Sequence, residues 1–132
     1  MRMIHKEKAL SLFNKGFHCS QSVLVAYANE LDITEEQAIK ISHCFNSGMC
    51  KGEVCGACSA ALMVLGMKYG RTEIVDPESD RFINGKASEF MEKFKKKNGS
   101  YICREIIRDS TVNCFQMVAL AIDILEEMES RH

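Results

Sequence analysis

The sequence predicts an all-α domain of six or seven helices wrapped around one central buried helix at about residues 55–69. Two observations carry that expectation. Apolar residues recur at three- and four-residue intervals, while strand-like alternation is nearly absent. Helix start and stop signals also punctuate the chain at short intervals. A length of 132 residues, 46% of them hydrophobic, suits a single domain over residues 1–132. Such a chain buries roughly two-thirds of its unfolded surface, enough for a core without covalent staples.

The elements follow in order. A first helix reaches about Lys15, with Ala9, Leu10, Leu12 and Phe13 as its apolar face and Gly16 as its stop. A second opens near Cys19-Ser20 and carries Val23, Leu24, Tyr27 and Leu31. Thr34 and Gln37 have the spacing of a capping box, which begins the third helix, with Ile33 and Ala38 as its staple. Its inward face reads Ala38, Ile41, Ser42 and Phe45.

A glycine-bearing loop from Asn46 to Val54 leads to a fourth helix opening at Cys55. Between Ala57 and Met67 that helix is apolar nearly all round, the mark of a buried element, and Gly70 ends it. Asp76-Pro77 reads as an N-cap followed by proline in the first turn. The fifth helix then places Phe82, Phe90 and Phe94 on one side, as core, and stops at Asn98-Gly99. Ser100 caps a short helix with Cys103, Ile106 and Ile107. The last runs from about Asn113 to Met128, with Val118, Ile122 and Leu125 inward.

Charge narrows the functional classes. With 17 basic and 18 acidic residues the net charge is −1, so neither nucleic acid nor an anionic membrane is an expected partner. Lys95-Lys96-Lys97 falls at a helix C-terminus, where cations complement the dipole, and reads as a solvated face. The apolar stretch from Ala57 to Met67 is too short to span a bilayer, so no membrane insertion is expected.

The chemistry lies in seven cysteines, four of them between Cys44 and Cys58. Thiols at this density staple an exported fold, bind metal or cycle between thiol and disulfide. The segment from Met1 to Lys8 has neither an apolar core nor a small-residue cleavage site, so no signal peptide is expected. The expected location is therefore cytoplasmic, where clustered cysteines bind metal or do redox work. Cys19, Cys55, Cys58, Cys103 and Cys114 each fall in or beside the first turn of an expected helix. The unpaired N–H groups and partial positive charge there favour thiolate and lower a cysteine pKa.

Three site chemistries remain open on spacing. Cys50-x4-Cys55-x2-Cys58 plus a distant cysteine matches plant-type ferredoxin spacing, with Gly48, Gly52 and Gly56 letting backbone approach a cluster. Cys55-Gly56-Ala57-Cys58 at a helix start is also a redox dithiol arrangement. Zinc usually takes two close pairs and only one occurs, yet helices can gather Cys19, Cys55, Cys103 and Cys114 as ligands. Neither haem c nor a nucleotide is expected, as no Cys-x-x-Cys-His occurs. Cys44 beside Phe45 reads as a small buried hydrophobe, and Cys58 is evenly balanced between packing and function. His18 and His43 read as surface residues, and Met49, Met63 and Met67 as core or loop packing.

The order His18-Cys19-Ser20-Gln21-Ser22-Val23-Leu24, Gly52-Glu53-Val54-Cys55-Gly56-Ala57, Ala61 to Gly70, Gly99-Ser100 with Cys103-Arg104-Glu105, and Cys114 resembles a family of redox-active proteins. That family is named for its motif, C_GCAxxG_C_C, and the resemblance covers nearly the whole chain. Its four motif cysteines map onto Cys19, Cys55, Cys103 and Cys114. Ala60 stands where the motif has its last glycine, and Cys44, Cys50 and Cys58 are additional. The resemblance implies a small helical redox-active protein whose relatives occur near other redox or transport proteins.

The leading expectation is therefore a site of Cys19, Cys55, Cys103 and Cys114, with Cys50 and Cys58 as additions. It holds an iron–sulfur cluster for electron transfer, the reading slightly preferred, or works as a thiol–disulfide relay with a redox partner protein. The alternative is a zinc- or other metal-binding domain that engages a partner protein without redox turnover.

Overall fold

The structure, a computed structural model, describes residues 4–108 and 113–129. The described residues form seven α-helices: α1 Ile4–Asn14, α2 Cys19–Tyr27, α3 Glu35–His43, α4 Gly56–Tyr69, α5 Pro77–Asn98, α6 Cys103–Arg108 and α7 Cys114–Glu129. Among the described residues there is no strand, only an antiparallel bridge between Val54 and Ile102. Among them, too, no helix is long and apolar enough to cross a membrane.

The caps behave as local chemistry requires. Thr34 Oγ1 accepts from the Gln37 amide while Gln37 Oε1 accepts from the Thr34 amide, both at 2.9 Å. Asp76 accepts from the Ser79 amide at 3.2 Å to open α5. Gly99 ends that helix at φ +87°, a conformation glycine reaches without a Cβ clash. Asn113 and Gln116 form a reciprocal pair before α7 that the sequence reading did not single out.

The helix buried over its whole length is α2, not α4. All nine residues from Cys19 to Tyr27 are buried, and α1, α3, α4 and α7 pack around them. Val23, Leu24, Val25 and Tyr27 anchor this core, each contributing about 1.5–3 kcal/mol by leaving water. Helix α4 buries one flank, through Ala57, Cys58, Ala60, Ala61, Val64 and Leu65, but leaves Met67 half-exposed. Small residues at 57, 60 and 61 let α2 and α4 approach closely, so α4's apolar composition serves a tight seam.

Buried polar side chains on α2 fix the next segment. Ser20 Oγ donates to the Ser42 carbonyl at 2.8 Å, and Gln21 Nε2 donates to the Ile39 carbonyl at 3.3 Å. These bonds dock the C-terminal half of α3 on α2, so the chain leaving α3 must cross the start of α2. They satisfy groups that would otherwise be costly to bury.

Three apolar assignments change. Ile41 is exposed on α3, where Ile39 packs inward instead. Phe82 is half-exposed at the edge of α5, edge-on to Tyr69 with the Lys86 ammonium 5.1 Å from its ring, while Phe90 and Phe94 are fully buried. Ile107 lies outward on α6 and Ile106 inward. In each case a neighbour on the same helix fills the core position.

Candidate redox site: thiols at converging helix starts

Cys19, Cys103 and Cys114 are the first residues of α2, α6 and α7, and Cys55 is the N-cap of α4. The fold brings these helix starts together. Cys19 lies close enough to both Cys55 and Cys114 for each thiol to shift its titration. Cys55 in turn contacts Cys58, one turn further along α4. The sulfurs thus form a run, Cys114 to Cys19 to Cys55 to Cys58. Cys103 lies beside its open end, close enough for the Cys114 charge to act on it. Cys19, Cys55, Cys58 and Cys103 are buried and Cys114 is half-buried.

Backbone from three segments closes around the run. The Cys55 amide donates to the Tyr101 carbonyl at 2.8 Å and the Cys103 amide to the Glu53 carbonyl at 2.5 Å, joining the entrances of α4 and α6. The Arg104 guanidinium reaches the Gly52 carbonyl and the Glu53 carboxylate at 3.2 and 3.1 Å across the same junction. The Ser47 amide lies close enough to the Cys19 sulfur, and the Ala57 amide to the Cys55 sulfur, to favour each thiolate.

Two glycines are required by this closeness. A Cβ on Gly56 would stand 2.7 Å from the Phe45 carbonyl oxygen and 2.8 Å from the Cys19 sulfur. One on Gly48 would meet the Glu53 backbone at 2.5 Å and the Cys103 Cβ at 2.8 Å, at a left-handed φ of +63°. Of the glycines singled out in the sequence, Gly56 permits close approach to the Cys19 sulfur, Gly48 to the Cys103 Cβ, and Gly52 lies against the Arg104 side chain.

The expected lowering of the thiol pKa values is reversed. For Cys19, the thiol of Cys114 favours the thiolate, but its bond to Cys55, burial and the nearby Cys55 charge outweigh that and push it up to about 11. For Cys55, help from Cys19 is outweighed by the bond to Cys58 and by burial, and its pKa is pushed up to about 12. Cys114 is raised by its bond to Cys19, then by burial. Cys103 is raised by burial and by the charge of Cys114. Like charges in a dry space cannot all form, so the helix starts are overruled by crowding.

The four motif cysteines are therefore gathered at one end of the molecule, with Cys58 joined through Cys55. Cys50 is not brought in: it is exposed, its sulfur 3.5 Å from the Cys44 carbonyl. Cys44 is exposed as well, so it is not a small core residue. His18 and His43 lie on the surface with ring centroids 5.5 Å apart. The sequence reading missed the role of Tyr101, because its contribution is a backbone carbonyl.

Thiolate sulfur is the right donor type for an iron–sulfur cluster or zinc. Among the described residues no three His, Cys, Asp or Glu side chains are grouped so as to hold a metal ion.

Fold and site together define an all-α protein with a buried multi-thiol centre. The chain belongs to the family described as "Putative redox-active protein (C_GCAxxG_C_C)", whose model matches residues 17–128. Searches of curated proteins and of solved structures found no match.

Proposed function

We propose that this protein is a thiol–disulfide relay in which Cys19 exchanges partners between Cys55 and Cys114. The observation that supports this most is the placement of Cys19 in contact with both. A Cys19–Cys55 disulfide attacked by the Cys114 sulfur becomes a Cys19–Cys114 disulfide and releases Cys55. The proton lost by Cys114 is taken up by Cys55, so the internal step is neutral in charge and electrons. Net oxidation of any one pair delivers two electrons and two protons to the disulfide of a redox partner protein.

The raised pKa values give this relay its character. With Cys19 held at about 11, about one molecule in ten thousand carries its thiolate at neutral pH. The resting site is inert to casual electrophiles. Exchange proceeds where the leaving sulfur can take the proton at once, which the contact between sulfurs provides.

The test is disulfide mapping after equilibration with graded mixtures of reduced and oxidised dithiothreitol, on protein purified without oxygen. A two-electron couple joining Cys19 to Cys55 or Cys114 is expected. Cys55→Ser should shift it wholly to Cys19–Cys114, and Cys19→Ser should abolish both. Iron and acid-labile sulfide assayed on the same sample decide against the relay if both are stoichiometric. The centre is then a cluster held by Cys19, Cys55, Cys103 and Cys114. Stoichiometric zinc with no reversible disulfide would assign a metal-binding role in engaging a partner.

A further inference from the structure

Two cysteines stand apart from the buried run. Cys44 is the C-cap of α3, Cys50 lies six positions on, and both are exposed. The chain between them does not extend away. Ser47, Gly48, Met49 and Cys50 are consecutively left-handed, with φ of +52°, +63°, +57° and +62°. This reversed turn brings Cys50 back over the end of α3, its sulfur 3.5 Å from the Cys44 carbonyl oxygen. The Asn46 side-chain amide approaches the same sulfur at 3.9 Å.

The inner side of this turn is the lid of the thiol centre. The Ser47 amide reaches the Cys19 sulfur, and Gly48 abuts Cys103. The Phe45 carbonyl and Asn46 Cα sit where a side chain on Gly56 would go. One short segment therefore carries two thiols in water on its outside and touches Cys19 and Cys103 on its inside.

We propose that Cys44 and Cys50 form a second, solvent-facing dithiol that exchanges with an external disulfide and serves as the port of the buried centre. The port role rests on the relay reading above; the dithiol itself does not. The Cys50 thiolate attacks an external disulfide, forming a mixed disulfide and releasing one thiolate. The Cys44 sulfur then attacks the Cys50 sulfur, closing Cys44–Cys50 and releasing the second. The two protons from Cys44 and Cys50 finish on the two released thiols, and the external disulfide is reduced by two electrons. In the reverse direction the closed pair is reduced by an external thiol.

The probe is glutathione disulfide, added to the reduced full-length protein and quenched by alkylation at intervals. Trypsin cuts after Lys40 and Lys51, so Ile41–Lys51 is one peptide holding both cysteines. Its closure appears as the loss of two hydrogens, about 2 Da, and resistance to alkylation. Closure is expected before oxidation of Cys19 or Cys55. Cys44→Ser should leave Cys50 trapped as its glutathione adduct. Cys50→Ser should slow oxidation of Cys19 by about tenfold or more, since its other route is direct attack by a buried, protonated thiol.

Cys19→Ser separates the two readings. If the peptide still closes in that variant, the dithiol stands whatever becomes of the relay. If, in the parent protein, Cys44 and Cys50 stay open, or end as two separate adducts, while Cys19 oxidises, the dithiol is overturned. If Cys50→Ser leaves the rate at Cys19 unchanged, the port is overturned.

Discussion

Helices α2, α4 and α7 all begin at the thiol centre and all end at the opposite pole, where the chemistry is reversed. At the first pole, thiols crowd together, and the neighbouring Arg104 guanidinium is engaged by Gly52 and Glu53. At the second, His5 lies between Glu126 and Glu30 at 2.5 and 2.7 Å, stacked on Tyr27 with ring centroids 4.1 Å apart. Lys68 bonds to Glu30 and Glu129 and places its ammonium 5.3 Å from the Tyr27 ring. Burial disfavours the charge on Glu30, but Lys68 and His5 override it and hold the carboxyl below its usual range. Burial likewise works against the Lys68 ammonium, and Glu30 and Glu129 override it, raising its pKa.

Both poles concentrate titratable groups at the ends of the same helices. What separates them is the sign of the neighbours. Opposite charges let the groups ionise, and the pole becomes an ionic clasp holding α1, α2, α4 and α7. Like acids keep each other protonated, and the pole becomes a store of neutral thiols.

The contrast can be broken most sharply at Gly56. In Gly56→Val, the added carbons would enter the space of the Phe45 carbonyl and the Cys19 sulfur. We expect a loss of about 3 kcal/mol or more, read as the midpoint of urea unfolding. The same variant should raise the alkylation rate of Cys19 under native conditions. A neutral outcome would mean that the thiol pole is loosely packed.

At the clasp, Lys68→Met leaves Glu30 and Glu129 facing each other with one cation fewer. The expected loss is smaller, about 1–2 kcal/mol, since these side chains are partly solvated. It should shrink in molar salt, whereas the Gly56→Val loss should not. Equal salt dependence in the two variants would erase the distinction between the poles.

Acid and alkali should attack opposite ends. A carboxyl with a lowered folded pKa stabilises above its unfolded value of 4.5 and loses that contribution as pH falls through the folded value, so acid unfastens the clasp. A thiol with a raised folded pKa stabilises fully below its unfolded value of 9.0. That contribution is lost as pH rises through about 11 for Cys19 and about 12 for Cys55. Stability measured between pH 8 and 12 should fall more steeply in the parent protein than in Cys55→Ala. Parallel curves would show that the thiols titrate normally.

The smallest effect is expected at Tyr27. Its hydroxyl is buried with no hydrogen-bond partner among the described residues, and burial and the surrounding glutamates push its pKa up. Tyr27→Phe removes an unpaired polar group and keeps the ring under His5 and Lys68. The melting temperature should rise, by the equivalent of about 1 kcal/mol. A fall would show that the hydroxyl is bonded in solution.

The sequence by itself determined whatever depends on neighbours along the chain. Thr34 with Gln37, Asp76 with Pro77 and Gly99 fix helix ends through bonds spanning a few residues. The apolar period of α7 fixes which of its faces turns inward. Cysteines at helix starts were legible for the same reason. Only the tertiary structure decided what those cysteines are to one another. Cys50, Cys55 and Cys58 share a ligand spacing on paper, yet the left-handed turn at Ser47–Cys50 sends Cys50 into water while Cys55 and Cys58 stay inside. Cys114, far from Cys19 in the chain, comes near it because α7 packs against α2. The thiol pKa values changed direction for the same reason. A helix start is a local field that a sequence reveals, but crowding by other thiols and exclusion of water are properties of the assembled core.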